Sequence, residues 1–161
     1  MAIFDKDWGN PSAAYQFGAI ASRAIEQARE QVASLVSAIP TEVVFTSGAT
    51  EANNTALYSA LQALPNRRHV ISTEVEHSSI INYCSALQKH DIDVTLLPVD
   101  RQGHLDPELL KQALRPETAV VSIMWANNET GVILPVAQYA EICRRAGVLF
   151  HCHAVQAVGK V

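Results

Sequence analysis

Apolar and polar residues follow one another along this chain with helical and strand periods in turn. From Ser12 to about Ala38, apolar residues return every three or four positions, which predicts a long amphipathic helix. Ser12 follows Pro11 and is the predicted cap of this helix. Further helical patterns cover Glu51 to Leu64, Ser78 to His90, Pro107 to Leu114 and Val136 to Arg145.

Short runs rich in β-branched residues alternate with these helices and predict strands. The runs are VVFT at 43–46, HVIST at 69–73, DVTLL at 93–97, AVVSIM at 119–124 and GVLFH at 147–151. Their apolar character fits burial on both faces, and the βα alternation is typical of a mostly parallel sheet between helices. We therefore expect a three-layer α/β fold.

Composition narrows the class of protein. The 161 residues are 48% hydrophobic and 17% charged, which indicates one globular domain. A net charge of -4 without a basic block gives no reason to expect nucleic acid or an anionic membrane as partner. No apolar stretch approaches the roughly 20 residues of a transmembrane helix, and the first residues lack a signal-peptide pattern. Three widely spaced cysteines favour a reducing compartment, so we expect a cytoplasmic protein.

Polar loops follow four of the predicted strands. They are SGATEANN after 43–46, EVEHSS after 69–73, WANNETG after 119–124 and CHAVQ after 147–151. Parallel α/β sheets bind their ligands at the carboxyl ends of the strands, so we expect the functional site in these loops.

Each of the first three loops has two interpretations when taken alone. The turn from Ser47 to Thr50 leads into a helix whose free N–H groups suit a phosphate, but Thr50 could also belong to a capping box. His77 is either a catalytic group or a residue at the start of the next helix. The amides and carboxylate between Asn127 and Gly131 either meet a ligand or form a plain turn.

Together, these segments resemble one family. TSGATEANN, EVEHSSIIN, SIMWANNETGVILP and FHCHAVQAVGK, with GNPSAAYQFG near the start, are similar to segments of the NifS/IscS-type cysteine desulfurases. These are fold type I pyridoxal-phosphate enzymes of the class V aminotransferase group. The resemblance covers nearly the whole chain in the family's order. It implies sulfur mobilisation from L-cysteine, for iron–sulfur cluster or thio-cofactor assembly.

The resemblance also implies roles for individual residues. Ala49 and Thr50 would belong to the phosphate cup, and His77 would stack on the pyridine ring and take part in proton transfer. Asn128 would lie beside the ring, and Gln156 would donate a hydrogen bond to the phenolic oxygen of the cofactor.

One position departs from the family pattern. Family members have an aspartate in a segment of the form H-x-D-A-x-Q, and here that position is His153. The aspartate keeps the pyridine nitrogen protonated. A neutral imidazole would hold that proton less firmly, and a protonated one would oppose it. We therefore expect His153 to be at the cofactor with a weakened function.

The family's Schiff-base lysine and its sulfur-carrying cysteine belong to segments that do not occur up to Val161. We therefore expect residues 1–161 to be a single partial cofactor-binding large domain without the carboxy-terminal small domain. Residues 1–40 would contribute the long helix, and 41–161 the sheet region. Pyridoxal phosphate would bind at most non-covalently, the isolated chain would be inactive, and it would form a homo-oligomer or pair with another chain.

Two alternatives stay open. The chain could be a non-catalytic partner module that pairs with another subunit. It could also bind a metal through His151 and His153, because residues two apart on a strand share a face. Two ligands do not make a metal site, and no further Cys or His lies nearby in sequence. We therefore predict no metal.

Overall fold

The computed structural model describes residues 8–161 of the chain. Lys6 and the start of the predicted amino-terminal segment lie outside these residues. The chain separates into two compact units, Met1–Phe45 and Thr46–Val161.

The first unit contains the predicted long helix, which is shorter than the apolar pattern suggested. Helix α1 spans Gln16–Leu35, with Tyr15 as its N-cap and no side-chain cap. The prediction of Ser12 as cap is wrong. The backbone N–H of Ser12 instead donates to Asn10 Oδ1 at 3.0 Å, and this turn delays the start of the helix.

The predicted strand at 43–46 is also wrong. After a single 3₁₀ turn at Pro40–Glu42, Val43 is extended, but the segment 43–46 pairs with no strand of the described sheet. Arg29 on α1 explains this locally, because its guanidinium donates to the Val43 carbonyl and lies 5.0 Å from the centre of the Phe45 ring. Val44 is 76% exposed. Without a partner strand, the β-branched residues 43–46 form a connecting segment and not a strand.

The second unit contains a four-stranded parallel sheet. Its strands are β1 (His69–Thr73), β2 (Asp93–Leu97), β3 (Thr118–Met124) and β4 (Leu149–His153). They lie in the order β2-β1-β3-β4, and every neighbouring pair is parallel. The α/β prediction is confirmed.

Helices cover both faces of this sheet and make it the middle of three layers. They are α2 (Ala49–Ala63), α3 (Ser78–Gln88), α4 (Pro107–Ala113) and α5 (Val136–Arg145). Successive strand residues point to opposite faces. Val70 accordingly packs in a core with residues of α2 and α3, whereas Ile71 packs with α4 and α5. Burying each of these side chains contributes about 1.5–3 kcal/mol, which explains the apolar character of β1 and β3.

Strand β4 lies two residues further along the chain than predicted. Gly147 has φ +64°, a conformation that favours glycine, and it closes the turn after α5. The strand can therefore begin only after this turn. Both His151 and His153 are inside β4, paired with Ser122 and Met124 of β3.

Across residues 8–161, the length and hydropathy of the helices do not meet what a membrane span requires.

Candidate functional site

A small cavity lies at the carboxyl ends of β1, β3 and β4. Its volume is about 110 Å³, and it is lined by Ala49, His77, Met124, Ala126, Asn128, His153, Val155 and Gln156. Because the three strands are parallel, the loops that follow them come together at this edge of the sheet. The loops that the sequence singled out therefore share one cavity.

Five of the six predicted cofactor-binding residues line this cavity: Ala49, His77, Asn128, His153 and Gln156. Thr50 does not. Its side chain borders a neighbouring depression of about 310 Å³, together with Asn54 and residues of α3.

Two larger depressions, of about 540 and 480 Å³, lie elsewhere in the second unit. One lies between α4 and α5 and the other between α2 and α3. Neither contains any of the predicted site residues. Size alone therefore does not identify the site, and the convergence of polar side chains is the better guide.

His77 is held in one orientation by the start of α3. Its Nδ1 accepts a hydrogen bond from the backbone N–H of Ser79 at 3.1 Å and lies 2.9 Å from Ser79 Oγ. Ser79 Oγ in turn accepts from Asn53 Nδ2 at 2.9 Å, and both Asn53 and Ser79 are buried. A backbone N–H only donates, so Nδ1 is the acceptor and a neutral His77 carries its proton on Nε2. His77 is thus both a helix cap and a ring of fixed tautomer at the cavity.

His153 forms a buried pair with a residue that the sequence interpretation missed. Its Nδ1 lies 3.1 Å from Glu76 Oε2, and the Glu76 side chain is fully buried. The same carboxylate oxygen accepts from the backbone N–H of His77 at 3.1 Å, whereas Glu76 Oε1 has no partner among the described residues. Burying a carboxylate oxygen without a hydrogen-bond partner costs free energy. The Glu76–His153 pair is therefore a candidate for a functional role.

His151 belongs to a different environment from His153. Its Nδ1 lies 2.9 Å from Ser122 Oγ, and burial lowers its pKa. Cys152 lies between the two histidines in sequence, and burial raises the pKa of its thiol to about 11. No group of three or more potential metal ligands is found among residues 8–161.

The start of α2 offers unpaired donors beside the cavity. Its N-cap Gly48 provides no side chain, and the first intrahelical bond goes from Ala52 N–H to the Gly48 carbonyl. Within the described chain, nothing accepts from the N–H groups of Ala49, Thr50 and Glu51. The capping box, which was the alternative for Thr50, is not seen, and these N–H groups suit an anion.

The loop after β3 separates its two asparagines. Asn127 Oδ1 accepts from the N–H groups of Glu129 and Thr130, both at 2.9 Å, and its Nδ2 donates to the Val75 carbonyl at 3.0 Å. Asn127 thus builds the turn and ties it to the loop after β1. Asn128 is exposed and lines the cavity.

Gln156 follows β4 and is oriented by a neighbour. Its Oε1 accepts from Lys160 Nζ at 2.9 Å, one turn further along the chain. The Nε2 group is left to donate elsewhere, and Gln156 lines the cavity.

Comparison with known proteins agrees with this arrangement. The family described as aminotransferase class V matches residues 2–161. The chain belongs to the class V aminotransferase family.

Curated relatives of this class V chain have related names. It is 51% identical over 154 residues to "Cysteine desulfurase 2" of Trichormus variabilis, covering 96% of this chain and 39% of that protein. It is 46% identical over 157 residues to "Cysteine desulfurase IscS" of Dechloromonas aromatica, again covering 96% of this chain and 39% of the relative. The chain thus spans about two fifths of the length of these relatives.

Solved structures of the family share the fold. A "NIFS-LIKE PROTEIN" superposes with a TM-score of 0.95 at 34% identity, covering 99% of this chain and 45% of that one. DndA from Streptomyces lividans superposes with a TM-score of 0.90 at 39% identity, with the same coverage of both chains. The resemblance that the sequence motifs suggested is confirmed.

The residues around the cavity match the chemical groups of the cofactor that this class V family implies. Pyridoxal phosphate presents an anion, an aromatic ring, a phenolic oxygen and a ring nitrogen. The described residues around the cavity offer a helix start with free N–H groups, the ring of His77, the Gln156 amide and the imidazole of His153. Behind His153, Glu76 Oε1 has no hydrogen-bond partner among the described residues.

Sequence reasoning missed four features of the site. Met124, Ala126 and Val155 supply its apolar lining, and Glu76 supports His153 from behind. The signal for Glu76 was present, because a carboxylate directly precedes His77 at the end of a predicted strand. Its partner lies 77 positions away in sequence, so no local pattern could pair them.

Proposed function

We propose that these residues form the pyridoxal-phosphate-binding part of a cysteine desulfurase, a protein that mobilises sulfur from L-cysteine. The observation that carries the proposal is the convergence of Ala49, His77, Asn128, His153 and Gln156 on one cavity. The names of the relatives support the substrate, as does the neighbouring structure of "SspA in complex with cysteine", with a TM-score of 0.88 at 34% identity.

Each residue has a role that its geometry supports. The free N–H groups at the start of α2 would hold the phosphate, which the positive end of the helix dipole favours. His77 would provide the ring that stacks on the cofactor, and its Nε2 would carry the proton because Nδ1 accepts from the Ser79 N–H. The Nε2 of Gln156 would donate to the phenolic oxygen, and Asn128 would lie beside the ring. When bound, the cofactor supplies an electron sink for the substrate's α-carbon.

Burial of the thiols argues that none of the described cysteines transfers sulfur. Cys84, Cys143 and Cys152 all have a pKa raised to about 11 by burial, with Glu76 adding to the effect at Cys84 and Cys152. They stay protonated at neutral pH and are poor nucleophiles. Their free state also suits a reducing cytoplasm, which we propose as the location.

Binding of pyridoxine 5′-phosphate to the 161-residue chain tests this proposal. This ligand has no aldehyde and cannot react with lysines, so a fluorescence titration measures non-covalent binding alone. We expect saturable binding that Gln156→Ala weakens about tenfold, since it removes one hydrogen bond to a charged oxygen. Gln62→Ala, on the exposed surface of α2, is the matched control and should bind as the unchanged chain does. Absence of saturable binding, or equal affinity in both variants, would reject the proposal.

Oligomerisation is part of the proposal and has a separate test. Light scattering of the chain alone, and of the chain mixed with a full-length relative, measures both the homo-oligomer and the pairing with another chain. A mass above that of the monomer for the chain alone, or a shift on mixing to a mass above that of the relative alone, supports association. A monomer in the first sample and no shift in the second would reject it, together with the alternative of a partner module.

A further inference from the structure

The pair formed by Glu76 and His153 bears on the position where this chain departs from its family. An aspartate there would place a carboxylate beside the cofactor's pyridine nitrogen. His153 brings no negative charge of its own, but Glu76 Oε2 lies 3.1 Å behind it, at Nδ1. In this chain the carboxylate therefore contacts the imidazole of His153, whereas in the family it would contact the cofactor directly.

The contacts of His153 determine which of its ring nitrogens carries the proton. A carboxylate that accepts from the His77 backbone N–H through the same oxygen is an acceptor, so Nδ1 of His153 carries a proton and donates to it. His153 lines the cavity, and among residues 8–161 nothing makes a hydrogen bond to its Nε2. In the neutral ring, Nε2 is therefore an unprotonated acceptor on a residue that lines the cavity.

Such an arrangement has a clear electrostatic consequence. A carboxylate that binds one nitrogen of an imidazole fixes its tautomer and makes the other nitrogen a stronger base. An acceptor of this kind stabilises a protonated pyridine ring. The bond is buried, so the charge of Glu76 is screened little by water.

We propose that Glu76 is a positioning residue that acts through His153, so that the pair takes over the function of a carboxylate at the pyridine nitrogen. Glu76 holds the proton on Nδ1, and Nε2 accepts from the protonated ring nitrogen. The inference rests on the proposed function, because it requires the cofactor to occupy this cavity.

A double-mutant comparison separates this role from simple structural support. In the chain with His153, we expect Glu76→Gln to weaken binding of pyridoxine 5′-phosphate about tenfold or more, the size of a lost charge-assisted bond. When His153→Asp places a carboxylate directly at the ring, Glu76 becomes a second buried negative charge. In that background, Glu76→Gln should leave affinity unchanged or improve it. A structural role, through the His77 N–H alone, predicts the same loss in both backgrounds and would overturn the proposal.

Two further measurements make the comparison specific. An analogue with CH in place of the ring nitrogen should bind the unchanged chain and the Glu76→Gln variant equally, because it has no nitrogen to contact.

Nitrogen-15 NMR of the ligand-free chain should show the His153 proton on Nδ1, and a proton found only on Nε2 would overturn the proposal without any ligand. Glu74→Gln, at an exposed neighbouring position, is the control for loss of charge. If the unchanged chain binds no ligand, the proposed function itself fails, whereas binding that is equally sensitive in both backgrounds rejects only the Glu76 role.

Discussion

The rings of His77 and His153 meet edge to face at the cavity, with centroids 5.9 Å apart and planes inclined by 70°. One follows β1 and the other ends β4, so the sheet brings together residues that are far apart in the chain. Each ring is oriented through Nδ1 by a different partner, Ser79 for His77 and Glu76 for His153. In their neutral forms, His77 therefore has a donor at Nε2, whereas His153 has an acceptor there.

Substitution of His77 should separate its two roles. His77→Ala removes both the cap of α3 and the ring, and we expect it to lower the free energy of unfolding by about 0.5–2 kcal/mol and to weaken ligand binding. His77→Asn retains a capping oxygen and should restore most of the stability but not the binding. Urea unfolding and titration with pyridoxine 5′-phosphate measure the two effects. Equal stability loss in both variants would contradict the capping role.

His69 should make stability depend on pH. Its ring is buried between the hydroxyls of Thr118 and Thr95, each 2.9 Å from one ring nitrogen, and burial lowers its pKa from 6.5 to about 4, helped by nearby Arg115. The unfolded chain therefore binds the proton more readily than the folded one between these two values. Stability is complete above pH 6.5 and is lost as pH falls toward 4, by roughly 3 kcal/mol.

The measurement is urea unfolding at a series of pH values between 4 and 7.5. His69→Gln keeps hydrogen-bonding groups for the two hydroxyls but cannot titrate, so its stability should vary less with pH in this range. His151, whose pKa burial also lowers, adds a change of the same sign in both proteins. An identical pH slope in the variant would show that His69 is not the source.

Tyr139 anchors α5 to the loop before α4 through a single buried hydrogen bond. Its hydroxyl donates to the Leu105 carbonyl at 2.8 Å, and the side chain is fully buried. Tyr139→Phe keeps the ring but leaves that carbonyl unpaired, so we expect a loss of about 1–3 kcal/mol. Tyr58→Phe, at a residue 56% exposed, is the matched control and should change stability little. Thermal or urea unfolding measures both.

The 161 residues by themselves should release no sulfide from L-cysteine, even with added pyridoxal phosphate. No lysine is among the described residues that line the cavity, and the described thiols have a pKa of about 11. Neither a covalent link to the cofactor nor a reactive thiolate is available there. Colorimetric detection of sulfide is the assay, and release that survives rigorous purification would contradict the prediction.

Local patterns predicted most of the second unit. Strands β1 and β2 and helix α5 have the predicted bounds, because their apolar periods are strong and capping or turn residues flank them. The local patterns predicted the wrong structure where a contact with a neighbouring residue or turn determines the backbone. Val43 satisfies its carbonyl through Arg29 instead of a partner strand, and β4 begins late because Gly147 first completes a turn.

Hydrophobic periods and short polar motifs are local properties of the chain, and they were enough to predict the fold class, the family and five residues of the cavity. The contacts of His153 could not be predicted in this way. Its partner Glu76 lies 77 residues earlier and reaches it across the end of the sheet, after β1, β3 and β4 have come into register. A contact between residues so far apart in the chain leaves no local pattern, so the Glu76–His153 pair is visible only in the folded structure.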